Sequence, residues 1–240
     1  MQLVYEQKFQ LTTGMFDECS NIIPYALLDL FQTIAGIHVT KLGIGSLYCT
    51  NNNYGWILAR QEVNIYKSPS PEEIVIVKTF PHTPGKIEFK REYEIRSLSG
   101  DIYAIACAMW VLLDFNTNKM IRSTNIYPNG EFLESTLFND KLSKPVSVDK
   151  TGKFITTYQV EKSDIDLYHH MNNAKYAQLI FNNYDYDASN IMNFKINYQN
   201  EIKEKEIMHI YKLIDNDITY ITGIKEDVII FTSSIKTKGE

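Results

Sequence analysis

One order of elements, implied by the residue pattern, occurs twice along the chain, and no other feature constrains the fold as strongly. Residues 3–10 have strand character, LTTGMFDECSN is rich in turn formers, and IIPYALLDLFQTIAGIHVTKLG follows with Leu27, Leu28, Phe31, Ile34, Ala35 and His38 at helical spacing. Pro24 suits the first turn of that helix, Asn21 its cap and Gly43 its end. The period then changes to two. In KIEFKREYEIRS, Ile87, Phe89, Tyr93 and Ile95 alternate with Glu88, Lys90, Glu92, Glu94 and Arg96. This is the pattern of an antiparallel strand with one face buried and one face in water. Arg91 falls on the apolar face, where a guanidinium needs a partner. WILARQEVNIY (56–66), EIVIVKTF (73–80) and IYAIACAMWVLLDF (102–115) flank this strand, and Ser99-Gly100 marks a turn.

Residues 125–152 carry turn formers and scattered charge and read as a linker. Beyond them the order returns: the strand FITTYQV, the turn DIDLYHHMNN, and a shorter helix, AKYAQLIFNNY, with Tyr176, Ile180 and Tyr184 on one face. Four strands follow, IMNFKINY, EIMHIYKL, ITYITGI and DVIIFTSSI, separated by short polar turns such as Asp215-Asn216-Asp217. Strand, helix and antiparallel meander, twice over, imply an α+β unit duplicated in one chain. The expected divisions are 1–124, the linker 125–152, and 153–240. Phe9, Asp17 and Tyr25 fall opposite Tyr158, Asp166 and Tyr176 if a gap of two residues is allowed. The first copy has no His-Met-Asn-Asn, so a catalytic copy would be the second.

Hydrophobic residues make up 44% of the chain and charged residues 22%, which supports a packed core and argues against wholesale disorder. No apolar run approaches the length of a membrane span, and MQLVYEQKFQ lacks the pattern of a secretory signal, so the default expectation is a cytoplasmic protein. The net charge of −5 argues against nucleic acid as a partner. Cys19, Cys49 and Cys107 form no CxxC arrangement and have no neighbouring His, which disfavours a disulfide framework, a zinc site and a thiol nucleophile. His169 and His170 are adjacent on a turn and do not suggest a metal site.

DIDLYHHMNN is the densest polar cluster. From spacing alone its residues have ordinary explanations: Asn172 and Asn173 as helix caps, Asp164 as a turn residue, and the histidines as solvated side chains. Glu201, near Lys203 and Lys205, reads as a surface acid, and His38, on the apolar face of the first helix, as a packed side chain.

In order, LLDLFQTIAGIHVTKLGIG, GWILARQEVNIYKSPSPEEIVIVKTF, FKREYEIRSLSGDIYAIACAMWVLLD and DIDLYHHMNNAKYAQ resemble the acyl-acyl-carrier-protein thioesterases of plants and bacteria. The last stretch is similar to that family's D-x-D-x-N-x-H-V-N-N-x-x-Y. The resemblance implies a double hot-dog fold, two tandem units each with a helix wrapped by a curved antiparallel sheet. It implies hydrolysis of acyl-carrier-protein thioesters to free fatty acids, without cofactor or metal. It further implies a first unit that holds much of the acyl chain. The family's catalytic Asp and His fall on Asp166 and His170. Its later Glu falls on Glu201, in the NYQNEI context.

Tyr168, Asn172 and Asn173 are then expected to contact substrate. Two residues depart from the family pattern: Tyr168 stands at the family Asn, and Ile202 at a Cys common in plant members. Thioester hydrolysis needs an activated water and a site for the developing oxyanion. Glu201 and His170 are both candidates for the base, Asp166 is a candidate for orienting His170, and a helix starting near Asn172 would offer free N–H groups. The expected partner is an acyl carrier protein, met by Lys203 and Lys205. Alternatives are an acyl-CoA thioesterase of the same fold and a non-catalytic acyl-binding protein. A homodimer is left open, because exposed sheet edges can pair.

Overall fold

The computed structural model describes residues 3–123, 126–127, 131–133, 136–138, 142–148, 152–166, 169–184 and 188–238. In the first half, β1 (Tyr5–Gln10) is followed by a 3-10 turn (Thr13–Met15), α1 (Pro24–Lys41), α2 (Ser46–Asn52), β2 (Tyr54–Ile65), β3 (Ile74–Pro81), β4 (Phe89–Arg96), β5 (Ile102–Asp114) and the short β6 (Lys119–Met120). The second half contains β7 (Lys153–Gln159), a 3-10 turn (Lys162–Asp164), α3 (Asn173–Asn182), β8 (Ile191–Tyr198), β9 (Ile207–Asp215), β10 (Ile218–Lys225) and β11 (Val228–Thr237).

The strands form one antiparallel sheet in the order β1-β3-β4-β5-β2-β8-β11-β10-β9-β7, with β6 on β5. The halves meet where β2 pairs β8, from Arg60↔Asn197 to Asn64↔Asn193. α1 and α3 pack on each other, and one apolar core runs through both halves, with Phe31, Ile34 and Tyr93 from the first and Ile180, Phe194 and Phe231 from the second. Burying that continuous core is what makes two similar units one body.

Pro24 occupies the first turn of α1, as its fixed φ allows, and Gly43 sits just past the end with φ +76°. The cap, however, is Ile23 and not Asn21. Asn21 is drawn into the preceding turn, where its N–H donates to Asp17 Oδ1 at 2.8 Å. α2 has no counterpart in the sequence reading, since SLYCTNN carries no apolar period.

β4 departs from the half-buried pattern: both its faces are covered, with Glu92 fully buried. Part of the segment read as a linker lies on its outer side. Glu92 receives Leu137 N–H at 2.6 Å, Thr136 Oγ1 at 2.6 Å and Lys90 Nζ at 2.7 Å, with His82 Nε2 at 3.1 Å. Burial alone would raise this carboxyl, but these donors outweigh it and hold it at about 2. Phe138 packs beside them on Ile105 and Cys107.

Candidate active site

The polar cluster of the second half is shaped by a buried carboxylate. Asp164 Oδ2 accepts from the Glu161 N–H at 2.8 Å and from the Tyr158 hydroxyl at 2.7 Å, and the Asp164 carbonyl accepts from Asn172 N–H at 2.8 Å. Asp164 is thus a turn residue, as expected, and also the anchor between β7 and α3. A bridge between Ile165 and Met171 closes the turn. Within it Asp166 N–H donates to the His170 carbonyl at 2.9 Å, and His169 takes the left-handed conformation with φ +64°. Histidine tolerates that region better than most residues. Tyr168 lies outside the described residues.

His170 leaves the base of this turn and meets Glu201, with Nε2 2.5 Å from Oε2. Glu201 follows β8 and is positioned by its neighbours. Asn200 Nδ2 donates to the Ile229 carbonyl at 2.8 Å, and Met171 N–H to the Ile202 carbonyl at 3.4 Å. The His170 side chain is 28% exposed and that of Glu201 55%, so water reaches the pair.

Asn172 caps α3: its side-chain oxygen accepts from Ala174 N–H at 2.9 Å. The Lys175 N–H goes to the Asn172 carbonyl at 2.9 Å. The amide oxygen of Asn172 is therefore used by the helix, which matches the ordinary reading of that residue. The carbonyl of Asn173 accepts from the Tyr198 hydroxyl at 3.2 Å.

Two cavities meet here. One, of about 190 Å³, is lined by His170, Glu201, Tyr176 and Tyr198 and by Asp166, Asn173 and Trp56. The other, of about 350 Å³, also touches Asp166, Asn173 and Trp56, then extends into the first half between α1 and the strand residues Phe89, Arg91 and Trp110. Of the six residues singled out from the sequence, Asp166, His170, Asn173 and Glu201 share the smaller cavity. Asn172 stands beside it as the cap.

Trp56, Tyr176 and Tyr198 were not recognised from the sequence as site residues. Tyr176 was assigned only to a helix face, and Trp56 and Tyr198 only to strands. Burial raises the Tyr176 phenol above its ordinary value, with Glu201 and Asp166 adding to the effect. It therefore faces both carboxylates as a neutral hydroxyl. None of Cys19, Cys49 and Cys107 lines either cavity.

Two family profiles match the chain: that of the Acyl-ACP thioesterase N-terminal domain over residues 2–127 and that of the Acyl-ACP thioesterase C-terminal domain over residues 147–239. The oleoyl-acyl carrier protein thioesterase 2, chloroplastic, of Arabidopsis thaliana is 21% identical over 76% of this chain and 55% of its own length. A palmitoyl-acyl carrier protein thioesterase, chloroplastic, of Gossypium hirsutum is 29% identical over 72% of this chain and 45% of its own. The chain spans about half the length of the curated relatives it matches. An acyl-ACP thioesterase from Bacteroides thetaiotaomicron superposes with a TM-score of 0.87 at 17% identity, over 98% of both chains. The 12:0-ACP thioesterase from Umbellularia californica does so with a TM-score of 0.87 at 16% identity, over 99% of this chain and 98% of that one. These likenesses show the fold, which is the tandem hot-dog arrangement expected from the sequence.

Proposed function

Because the chain belongs to the acyl-ACP thioesterase family, we propose that it hydrolyses acyl-carrier-protein thioesters and releases free fatty acids in a cytoplasmic fatty-acid synthesis system. The observation that carries this reading is the His170–Glu201 pair in a water-accessible cavity that joins a larger one at Asp166 and Asn173. The acyl chain occupies the larger cavity, and the thioester sits at the junction. A water held by the pair attacks the carbonyl carbon. The pair takes its proton and returns it to the departing thiol, so the C–S bond breaks as the acid forms. The acid–base function is assigned to the two groups together.

Among the first N–H groups of α3, those of Ala174 and Lys175 are engaged by Asn172. That of Asn173 has no partner among the described residues and serves as the donor for the oxyanion, aided by the positive end of the helix. Asp166, at the same junction, orients His170. The catalytic unit is 153–240 and the acyl-holding unit 1–124, joined by 125–152. Among the described residues no helix is long and apolar enough to cross a membrane.

A turnover assay across acyl-carrier-protein chain lengths tests the proposal. Release of free acid from at least one chain is the expected result. Equal or faster hydrolysis of the matching acyl-CoA would favour the acyl-CoA thioesterase, and tight binding without turnover would favour an acyl-binding protein.

A further inference from the structure

Arg91 is the residue that the apolar face of β4 does not explain, and its partners leave part of it unmet. It is 3% exposed. Nη1 donates to Thr79 Oγ1 at 3.1 Å and meets His38 Nδ1 at 3.0 Å. Burial, with the charges of Arg91 and Lys41 beside it, lowers the His38 ring to about 3, so the ring is neutral and Nδ1 accepts. Nη2 has no partner of good hydrogen-bond geometry, the Tyr127 hydroxyl is the neutral group that interacts with the guanidinium beside the cavity, and no carboxylate forms an ion pair with it among the described residues. The same side chain lines the larger cavity, beside Tyr127 and Phe89, in the part that the smaller cavity does not share. Burial raises the Tyr127 phenol, against the pull of Arg91, so a neutral hydroxyl accompanies the cation.

A plain hydrocarbon chain in this cavity would leave Nη2, already shielded from water, without an oxygen to receive its N–H. A buried donor left unpaired is costly, more so when it is charged. We infer that Arg91 presents this N–H to an oxygen carried on the acyl chain itself, so that the cavity selects chains bearing a hydroxyl, oxo or carboxylate oxygen over plain hydrocarbon. The inference rests on the reading that this cavity holds the acyl group. A site built around a hydrogen bond discriminates strongly against the analogue that lacks it, far more than an apolar slot discriminates between chains of similar size.

The test compares pantetheine thioesters of one chain length, either plain or bearing a hydroxyl, an oxo group or a carboxylate at successive carbons. Binding of the corresponding free acids is measured in parallel by calorimetry. At least one oxygenated chain should exceed the plain one in kcat/KM by about 10-fold or more. In Arg91→Met that ratio should fall to about 1 or below. Arg91→Gln keeps N–H donors without the charge, so it retains a preference for a neutral oxygen and loses one for a carboxylate. A wild-type protein that turns over the plain chain as well as every oxygenated one overturns the inference, whether or not the variants fold. So does a ratio unchanged in Arg91→Met. If no thioester is hydrolysed, the proposed activity fails, and the calorimetric preference for the oxygenated acid still decides the role of Arg91.

Discussion

The turn that carries His170 has a counterpart in the first half, and the backbone hydrogen bonds within the two turns agree. Asp17 N–H donates to the Asn21 carbonyl at 2.9 Å, as Asp166 does to that of His170 at 2.9 Å. Ser20 and His169 share the left-handed conformation, with φ 63° and 64°. Bridges Phe16↔Ile22 and Ile165↔Met171 close both turns. Ile23 N–H reaches the Met15 carbonyl at 2.9 Å, and Asn172 N–H that of Asp164 at 2.8 Å. The loops after β2 and β8 agree too: Glu73 accepts from Ser70 N–H at 3.0 Å, and Glu206 from Lys203 N–H at 2.9 Å. In this correspondence His170 becomes Asn21, Glu201 becomes Ser68, and the helix that opens with Asn173 opens instead with Pro24, which has no N–H. One scaffold thus occurs twice, and chemistry can reside only where the side chains and the helix N–H permit it.

Exchanging residues between the turns tests this contrast. His170→Asn and Glu201→Ser give the second half what the first half has. Each should lower kcat/KM by about 100-fold or more, the scale of a lost acid–base group, measured on folded protein. The reciprocal Asn21→His with Ser68→Glu should add no activity, since Pro24 offers no oxyanion donor. A gain in turnover there would break the comparison.

Asp164→Met installs the residue of the first turn, Met15. It strips the partner from the partly buried Tyr158 hydroxyl and from the Glu161 N–H and should cost roughly 2–3 kcal/mol in denaturant unfolding. An unchanged midpoint would show that Asp164 does not anchor the turn. Lys203→Ser with Lys205→Glu copies Ser70 and Glu72. It should raise KM for a carrier-protein substrate by about 10-fold and leave a small thioester unaffected, because an acidic carrier is drawn by local charge. Equal loss on both substrates would move these lysines from docking to folding or catalysis.

Asp17→Ala removes an oxygen that accepts from Cys19 N–H at 2.9 Å and from Asn21 N–H at 2.8 Å, and should cost about 1 kcal/mol with turnover unchanged. The smallest effect is expected at Tyr168→Phe, which should stay within a few-fold of wild type. Loss of most activity in a folded Tyr168→Phe protein would give its hydroxyl a polar role.

Strand positions were legible because alternation is a local signal, and the long α1 because Leu27, Phe31, Ile34 and His38 recur on one face. What the sequence hid was long-range. The charged face of β4 reads as solvent-facing, and the residues that cover it, Thr136 to Phe138, lie far along the chain. The alignment of Tyr25 with Tyr176 fails for a related reason. The backbone bonds match the turns without a gap, which sets Tyr25 opposite Ala174. Similar side chains had suggested a register that the hydrogen bonds do not share. Within the site, Asp166, His170 and Asn173 stand in one short stretch. Glu201 came only from family context, since nothing local distinguishes it from a surface acid. Arg91 was visible as an anomaly, but the cavity beside it was not.

The pairing of β2 with β8 also has a consequence for synthesis. β2 is made early and β8 late, so while the chain emerges from the ribosome the first half holds its β2 edge open. Its backbone donors and acceptors from Arg60 to Asn64 wait for Asn193–Asn197. An open edge of this kind is a template for any other strand. A nascent or truncated chain ending before Ile191 should therefore seek a β2 from a neighbour and self-associate, and completion of β8 should end that exposure.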